Sequence, residues 1–121
     1  MSRKKKNYVG KIGYCDNINL NGLQHLSGGH YVYIRKLNND GTCDVNIITS
    51  LEDNDGNYYY HKLKQVKKGN TYAVPKYDAN FARWSGVNKK PIQNVKISDI
   101  NDLNKKKIKK RHHFFIGKYM K

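Results

Sequence analysis

The sequence predicts a mainly β protein, a small closed or half-closed β-barrel. Three observations carry that prediction. Segments rich in β-branched and aromatic residues recur along the 121 residues. Turn signals separate them every ~8 to 15 residues, and few stretches have a helical period. The length suits one domain with one modest core. There are no internal repeats, and low complexity is confined to the lysine-rich ends.

Residues 1–7 read as a basic arm. "YVGKIGYC" (8–15) has strand composition, with glycines that mark bends or a close backbone approach. "DNINLNGLQHLSGG" (16–29) lacks a clean period and reads as a long loop. "HYVYIRKL" (30–37) alternates weakly but has high strand propensity. "NNDG" (38–41) tolerates positive φ and predicts a tight turn. "TCDVNIITSL" (42–51) returns as a second strand. Period-two alternation puts Cys43, Val45, Ile47 and Thr49 on one face, and Asp44, Asn46, Ile48 and Ser50 on the other.

"EDNDGN" (52–57) is a second turn; it lacks the glycine spacing and closing glutamate of an EF-hand loop. "YYYHKLKQV" (58–66) reads as a strand or sheet edge, "KKGN" as a turn, and "TYAVP" (71–75) as a short strand closed by Pro75. Residues 76–91 read as irregular, and "IQNVKISDI" (92–100) alternates as a strand. The expected organisation is therefore an arm (1–7), a single barrel domain (8–103) and a basic C-terminal helix or tail (104–121) packed on the barrel. A terminal helix would bury Ile108, Phe115 and Tyr119; "HHFFIGKYM" alternatively pairs as a strand.

Net charge is +15 at pH 7, from 24 Lys+Arg against 9 Asp+Glu. That excess predicts a polyanionic partner, nucleic acid or an anionic membrane surface. No apolar run approaches the ~20 residues needed to span a bilayer. No signal peptide follows the Met1-Ser2-Arg3-Lys4-Lys5-Lys6 start, so a cytoplasmic location is expected. A basic C-terminal interfacial helix is the membrane alternative. Cys15 and Cys43 fall in predicted strands without metal-ligand spacing and read as inert packing. CxxC, HExxH, Walker and GxGxxG patterns are absent, so no metal or cofactor is expected. The wealth of Lys, Asn, Ile and Tyr, whose codons are AT-rich, points to a low-GC bacterial, phage or plasmid genome.

The first hairpin carries the sharpest geometric expectation. Counting back from the turn without a bulge, Leu37 faces Thr42, Lys36 faces Cys43, and His30 faces Thr49 at the open end. Histidine suits proton transfer near neutrality, and hydroxyls suit donation to phosphate oxygens. A solvated or structural histidine is the bland alternative. Arg83 and Trp84 form a second candidate cluster, to clamp a phosphate and stack a base; the alternatives are a surface charge and a core plug. His25 lies within the long loop and His61 on the expected edge strand. His112 and His113, set among lysines, read as a solvated binding tail. Of the ten tyrosines, Tyr31, Tyr33 and Tyr58 to Tyr60 are stacking candidates or half-buried strand filler.

"VGKIGY", "GGHYVYI" and "VNIITS" fall in an order and spacing that resembles the MazF/PemK (Kid-like) toxin family, over residues 9–52. The resemblance implies an SH3-like (PemK-like) barrel and a metal-independent endoribonuclease acting on single-stranded RNA. It implies 2′,3′-cyclic phosphate ends, a homodimer and a cognate antitoxin. The family's strand-end Thr/Ser falls on Thr49 and Ser50. Its arginine after the glycine pair is replaced here by His30, with no proline following. Arg83 is the substitute arginine. The catalytic set so implied is His30, Thr49, Ser50 and Arg83. Lys11, Tyr31, Arg35, Trp84, Lys89, Lys90, Lys109 and Arg111 are the expected nucleic-acid contacts. A non-catalytic nucleic-acid-binding barrel and a phage or mobile-element interaction protein are the competing functions.

Overall fold

The computed structural model describes residues 8–15, 29–78, 81–109, 112, 113 and 116. The strands are β1 (Ile12–Cys15), β2 (His30–Leu37), β3 (Thr42–Ser50), β4 (Thr71–Val74), β5 (Ser85–Asn88), β6 (Ile92–Lys96) and β7 (Asn101–Lys106). One helix, α1 (Tyr60–Lys67), and two short 3-10 turns, Lys76–Asp78 and Ile97–Asp99, complete the described elements. The strands form one antiparallel sheet in the order β4-β5-β3-β2-β1-β7, with β6 pairing β3 as a branch. β4 and β7 stand at opposite ends of this order, and the sheet does not close into a barrel. The expected β class holds; of the closed or half-closed barrel expected, full closure is not found.

β3 is the central strand. β2 flanks it on one side; on the other, β6 pairs its first half and β5 its last residues. A strand paired and covered this fully carries apolar residues on both faces. Val45 and Ile47 point into one core with Cys15, Val32, Ile34, Cys43, Ile92, Val95 and Ile100. Ile48 points into the other with Ile12, Tyr33, Val74, Val87, Ile108 and Ile116. Each such side chain contributes roughly 1.5–3 kcal/mol by leaving water. Asn46, fully buried at 0 % exposure, donates to the Asn88 and Lys89 carbonyls at 2.9 and 3.2 Å and ties the β5–β6 turn to β3.

The β2–β3 turn is a three-residue loop closed by Asn38 N–H to the Thr42 carbonyl, with Gly41 at φ +81°. This sets Leu37 against Cys43 and Lys36 against Asp44, one residue off the simple count. A bulge between Ile34 and Lys36 then absorbs the difference. Beyond it Ile34 faces Val45 and Tyr31 faces Ile48, which is the expected register.

Residues 58–66, expected as a strand, instead lead into α1. Its end explains why. Asn70 N–H bonds the Gln65 carbonyl and Gly69 N–H bonds the Val66 carbonyl, with Gly69 at φ +82°. These two bonds are the Schellman arrangement that terminates helices at a left-handed glycine. Lys64 and Lys67 lie in the last turn, where cations suit the helix dipole. The segment 76–91, expected as irregular, holds a 3-10 turn and strand β5. β7 occupies the start of the segment read as a C-terminal helix or tail. Beyond it His112, His113 and Ile116 are helical.

His112 and His113 are not a solvated tail. His112 is buried, and its Nε2–H donates to Asp78 Oδ2 at 2.8 Å. Its Nδ1 shares a 2.8 Å hydrogen bond with the Tyr72 hydroxyl. His113 Nδ1 pairs with the Tyr33 hydroxyl at 2.9 Å. Ile108 is buried, but not within the terminal helix expected to bury it; Phe115 and Tyr119 lie outside the described residues.

Candidate active site

The open end of the β2–β3 hairpin borders a cleft of ≈ 230 Å³ lined by Tyr31, Ile48, Thr49, Ser50, Phe81, Ala82, Arg83 and Ser85. Three of the four expected catalytic residues, Thr49, Ser50 and Arg83, therefore meet around one space, with Tyr31 as a wall. Three backbone features place them. β5 pairs the strand end, with Thr49 opposite Gly86 and Ser50 opposite Ser85. Leu51 N–H then bonds the Trp84 carbonyl at 2.8 Å, carrying Arg83 alongside. The Ser85 hydroxyl donates to the Arg83 carbonyl at 3.1 Å and fixes the backbone there.

The wall of the cleft is aromatic. Tyr31 meets Tyr14 and Phe81 edge-on at 5.2 and 5.6 Å between ring centroids. The Arg83 guanidinium donates to Asn54 Oδ1 in the turn after β3. That turn is held by Asp53 Oδ1, which accepts the Asp55 and Asn57 amides at 2.9 and 3.0 Å. Its carboxylate sits below the usual range, chiefly through those amide bonds, with a smaller contribution from Arg83.

His30 lies beside the cleft rather than in its lining. It pairs with Cys15 across the sheet and directly follows Gly29, against which the Tyr14 hydroxyl is packed. A Cβ at residue 29 would occupy the same space as that hydroxyl, so any other residue there would have to push the Tyr14 ring aside. The β2–β3 ladder ends at Tyr31 with Ile48, one step from His30 and Thr49. Alternation gives Thr49 the face of His30 and Ser50 the face of Tyr31. The strand end thus offers a hydroxyl to each side.

Burial lowers the His30 pKa from its ordinary 6.5, and the Lys62 ammonium lowers it further; a hydrogen bond to the Ile48 backbone opposes both. His30 is therefore neutral at pH 7 and able to accept a proton. Lys62 was missed by sequence reasoning because its segment was read as a strand. As part of α1 it donates to the Ser50 carbonyl at 2.8 Å and lies 4.5 Å over the Tyr59 ring. Burial lowers its own pKa from 10.5. The Lys62–Tyr59 and Lys64–Tyr60 pairings, three and four residues apart, were the available helical signal.

The remaining expected contacts scatter. Trp84 is half-buried, neither a core plug nor fully exposed. Lys89 and Lys90 are exposed on the β5–β6 turn. Arg35 is the bulged residue of β2. Lys11 is half-buried, and its charge helps lower the His113 pKa. Lys109 forms an ion pair with Asp78 at 3.3 Å. Arg111, the arm 1–7 and His25 lie outside the described residues.

No helix among the described residues is long and apolar enough to cross a membrane. No protein-family model matches the chain, and the curated proteins give no sequence match.

Proposed function

We propose that this chain is a metal-independent endoribonuclease that cleaves single-stranded RNA. We read it as the toxin of a toxin–antitoxin pair, a divergent relative of the MazF/PemK family, with a sheet that curls as a variant of the SH3-like barrel. One observation carries the reading: Thr49, Ser50 and Arg83 line one cleft beside a neutral His30, on a chain of net charge +15.

In this reaction the substrate supplies its own nucleophile. A base removes the 2′-hydroxyl proton as that oxygen attacks the adjacent phosphorus. The bond from phosphorus to the 5′-oxygen breaks, and the leaving oxygen takes up a proton. The products are a 2′,3′-cyclic phosphate and a 5′-hydroxyl. His30 is the base, since its depressed pKa keeps the ring unprotonated. Lys62, partly desolvated beside it, is the proton donor. Arg83 and the strand-end hydroxyls stabilise charge on the non-bridging oxygens. An antitoxin and a second copy of the chain are the partners this function calls for.

The test is incubation of the purified protein with single-stranded RNA in EDTA. Cyclic-phosphate ends are expected, with activity lowered on the order of 10²- to 10³-fold in Arg83→Gln and clearly reduced in Thr49→Ala and His30→Ala. Intact RNA, with binding that falls steeply in salt, would replace the enzyme with a non-catalytic nucleic-acid-binding module. The bond of His30 to the Ile48 backbone favours that second reading, because it commits part of the ring to structure. Induction in a bacterial host tests the toxin assignment separately, through growth arrest.

A further inference from the structure

Next to the cleft, Trp84 stands between two tyrosines. Tyr58 and Tyr77 approach the indole at 6.4 and 5.9 Å between centroids, with interplanar angles of 84° and 87°. Both contacts are edge-to-face, so neither tyrosine is stacked flat against the indole. Tyr58 is 50 % exposed and Tyr77 68 % exposed. Large aromatics left in water this way, outside the core, call for an occupant.

The backbone beneath them is fixed. Trp84 N–H donates to Glu52 Oε1 at 3.1 Å, and its carbonyl accepts Leu51 N–H. Tyr58 is bridged to Glu52 across the 53–56 turn. Tyr77 sits in the 3-10 turn that ends at Asp78, whose carboxylate is held by His112. The three rings are therefore presented by ordered chain and not by a loose loop. Arg83, which lines the cleft, directly precedes Trp84. Tyr58 leads into α1, whose sequence YHKLKQVK carries three lysines and no acid. Four acids lie nearby: Glu52 accepts the Trp84 amide, Asp53 accepts backbone amides, Asp78 is buried against His112 and Lys109, and Asp55 lies on the turn.

We propose that Tyr58, Trp84 and Tyr77 form a base-stacking subsite for single-stranded nucleic acid. It receives a nucleotide flanking the one in the cleft, with the phosphates on the side of Arg83 and α1. Exposed aromatic faces set among cations fit unpaired bases on a polyanion, and stacking of this kind is indifferent to base identity. The subsite rests on the ribonuclease reading for its substrate, but its test does not require cleavage.

Trp84 is the only tryptophan of the chain, so its fluorescence reports this site alone. The full chain is titrated with a 2′-O-methyl oligonucleotide, whose blocked hydroxyl permits binding without reaction. Quenching is expected, with Tyr77→Ala and Tyr58→Ala each weakening affinity about 5- to 100-fold, as base–aromatic stacking predicts. An abasic oligonucleotide of equal length should bind weakly and fail to distinguish wild type from Tyr77→Ala. Equal affinity of wild type and both variants, or equal quenching by the abasic strand, would overturn the proposal. So would absence of any quenching, leaving the rings to a protein partner. Cleavage with unaffected tyrosine variants would sink the subsite and leave the enzyme; tyrosine-dependent binding without cleavage would do the reverse.

Discussion

Replacing His112 by alanine should cost far more stability than its position near the chain end suggests. His112 connects Asp78, at 2 % exposure, to the Tyr72 hydroxyl of β4. The substitution leaves the buried carboxylate with Lys109, whose own side chain is 60 % exposed and whose charge is well solvated. Leaving a buried carboxylate without its hydrogen-bond donor costs about 1–3 kcal/mol, and more for a charged group. Lys109 remains at 3.3 Å and offsets part of this, so about 2 kcal/mol is expected. Asp78→Ala removes the stranded charge, and the double variant should lose less than the sum of the single losses. The coupling expected for such neighbours is about 2 kcal/mol, within the usual range for contacting polar residues. Urea unfolding followed by circular dichroism reads all four proteins. With a slope of roughly 1–3 kcal/mol per molar for a small domain, the midpoint of His112→Ala should fall by about 0.7–2 M. A loss under about 1 kcal/mol, or strictly additive losses, would show that the carboxylate is solvated and that the tail is not anchored through it.

Two further outcomes follow from the site and the helix. An NMR titration should place His30 below its ordinary 6.5, and Lys62→Met should move it upward, though only in part, since burial is the larger cause. A folded value depressed below the unfolded one contributes stability that is present above pH 6.5 and lost as pH falls through the folded value. The acid limb of any cleavage profile should lie in that same window; a limb unmoved by Lys62→Met would remove Lys62 from the site. Gly69→Ala places a side chain at φ +82° and should destabilise the fold by roughly 1–2 kcal/mol, visible as a lower melting temperature. An unchanged melt would mean that α1 does not end at that residue.

Much of the hairpin was legible because its signals are local. "HYVYIRKL" and "NNDG" marked β2 and its turn, and Pro75 closes β4 in the structure as in the sequence. The convergence of Thr49 and Ser50 with Arg83 was only half legible. The strand end could be counted, but β5, which carries Arg83 there, is a four-residue SGVN strand too short to show a period. α1 was hidden by composition. Three tyrosines and a valine resemble a strand, while the helical stripe is carried by Lys62, Leu63 and Val66 and includes a lysine. Its stop signal, two lysines before Gly69, serves equally well as a turn signal. His112 and His113 were misjudged because neighbouring charge says nothing of a partner such as Asp78, 34 residues away. Closure of the sheet depends on how the ends of seven strands meet, and no local pattern reports that.

The weak alternation of β2 has a physical source, and it bears on how much of this hairpin is needed. The residues that β2 turns toward one core are Val32, Ile34 and then Leu37, so the inward phase passes from even to odd positions at Arg35. Arg35 is length without register. Lys36 already faces Asp44 and Ile34 already faces Val45, which are adjacent on β3. Its deletion would leave every partner in place and restore an unbroken even phase to the strand. The hairpin thus carries one residue of slack between its tip and its open end, taken up as a bulge at the half-buried Arg35. The tip and the cleft are mechanically separable: loop length can change at one end and be absorbed at Arg35 without turning His30 or Ser50 to the wrong face.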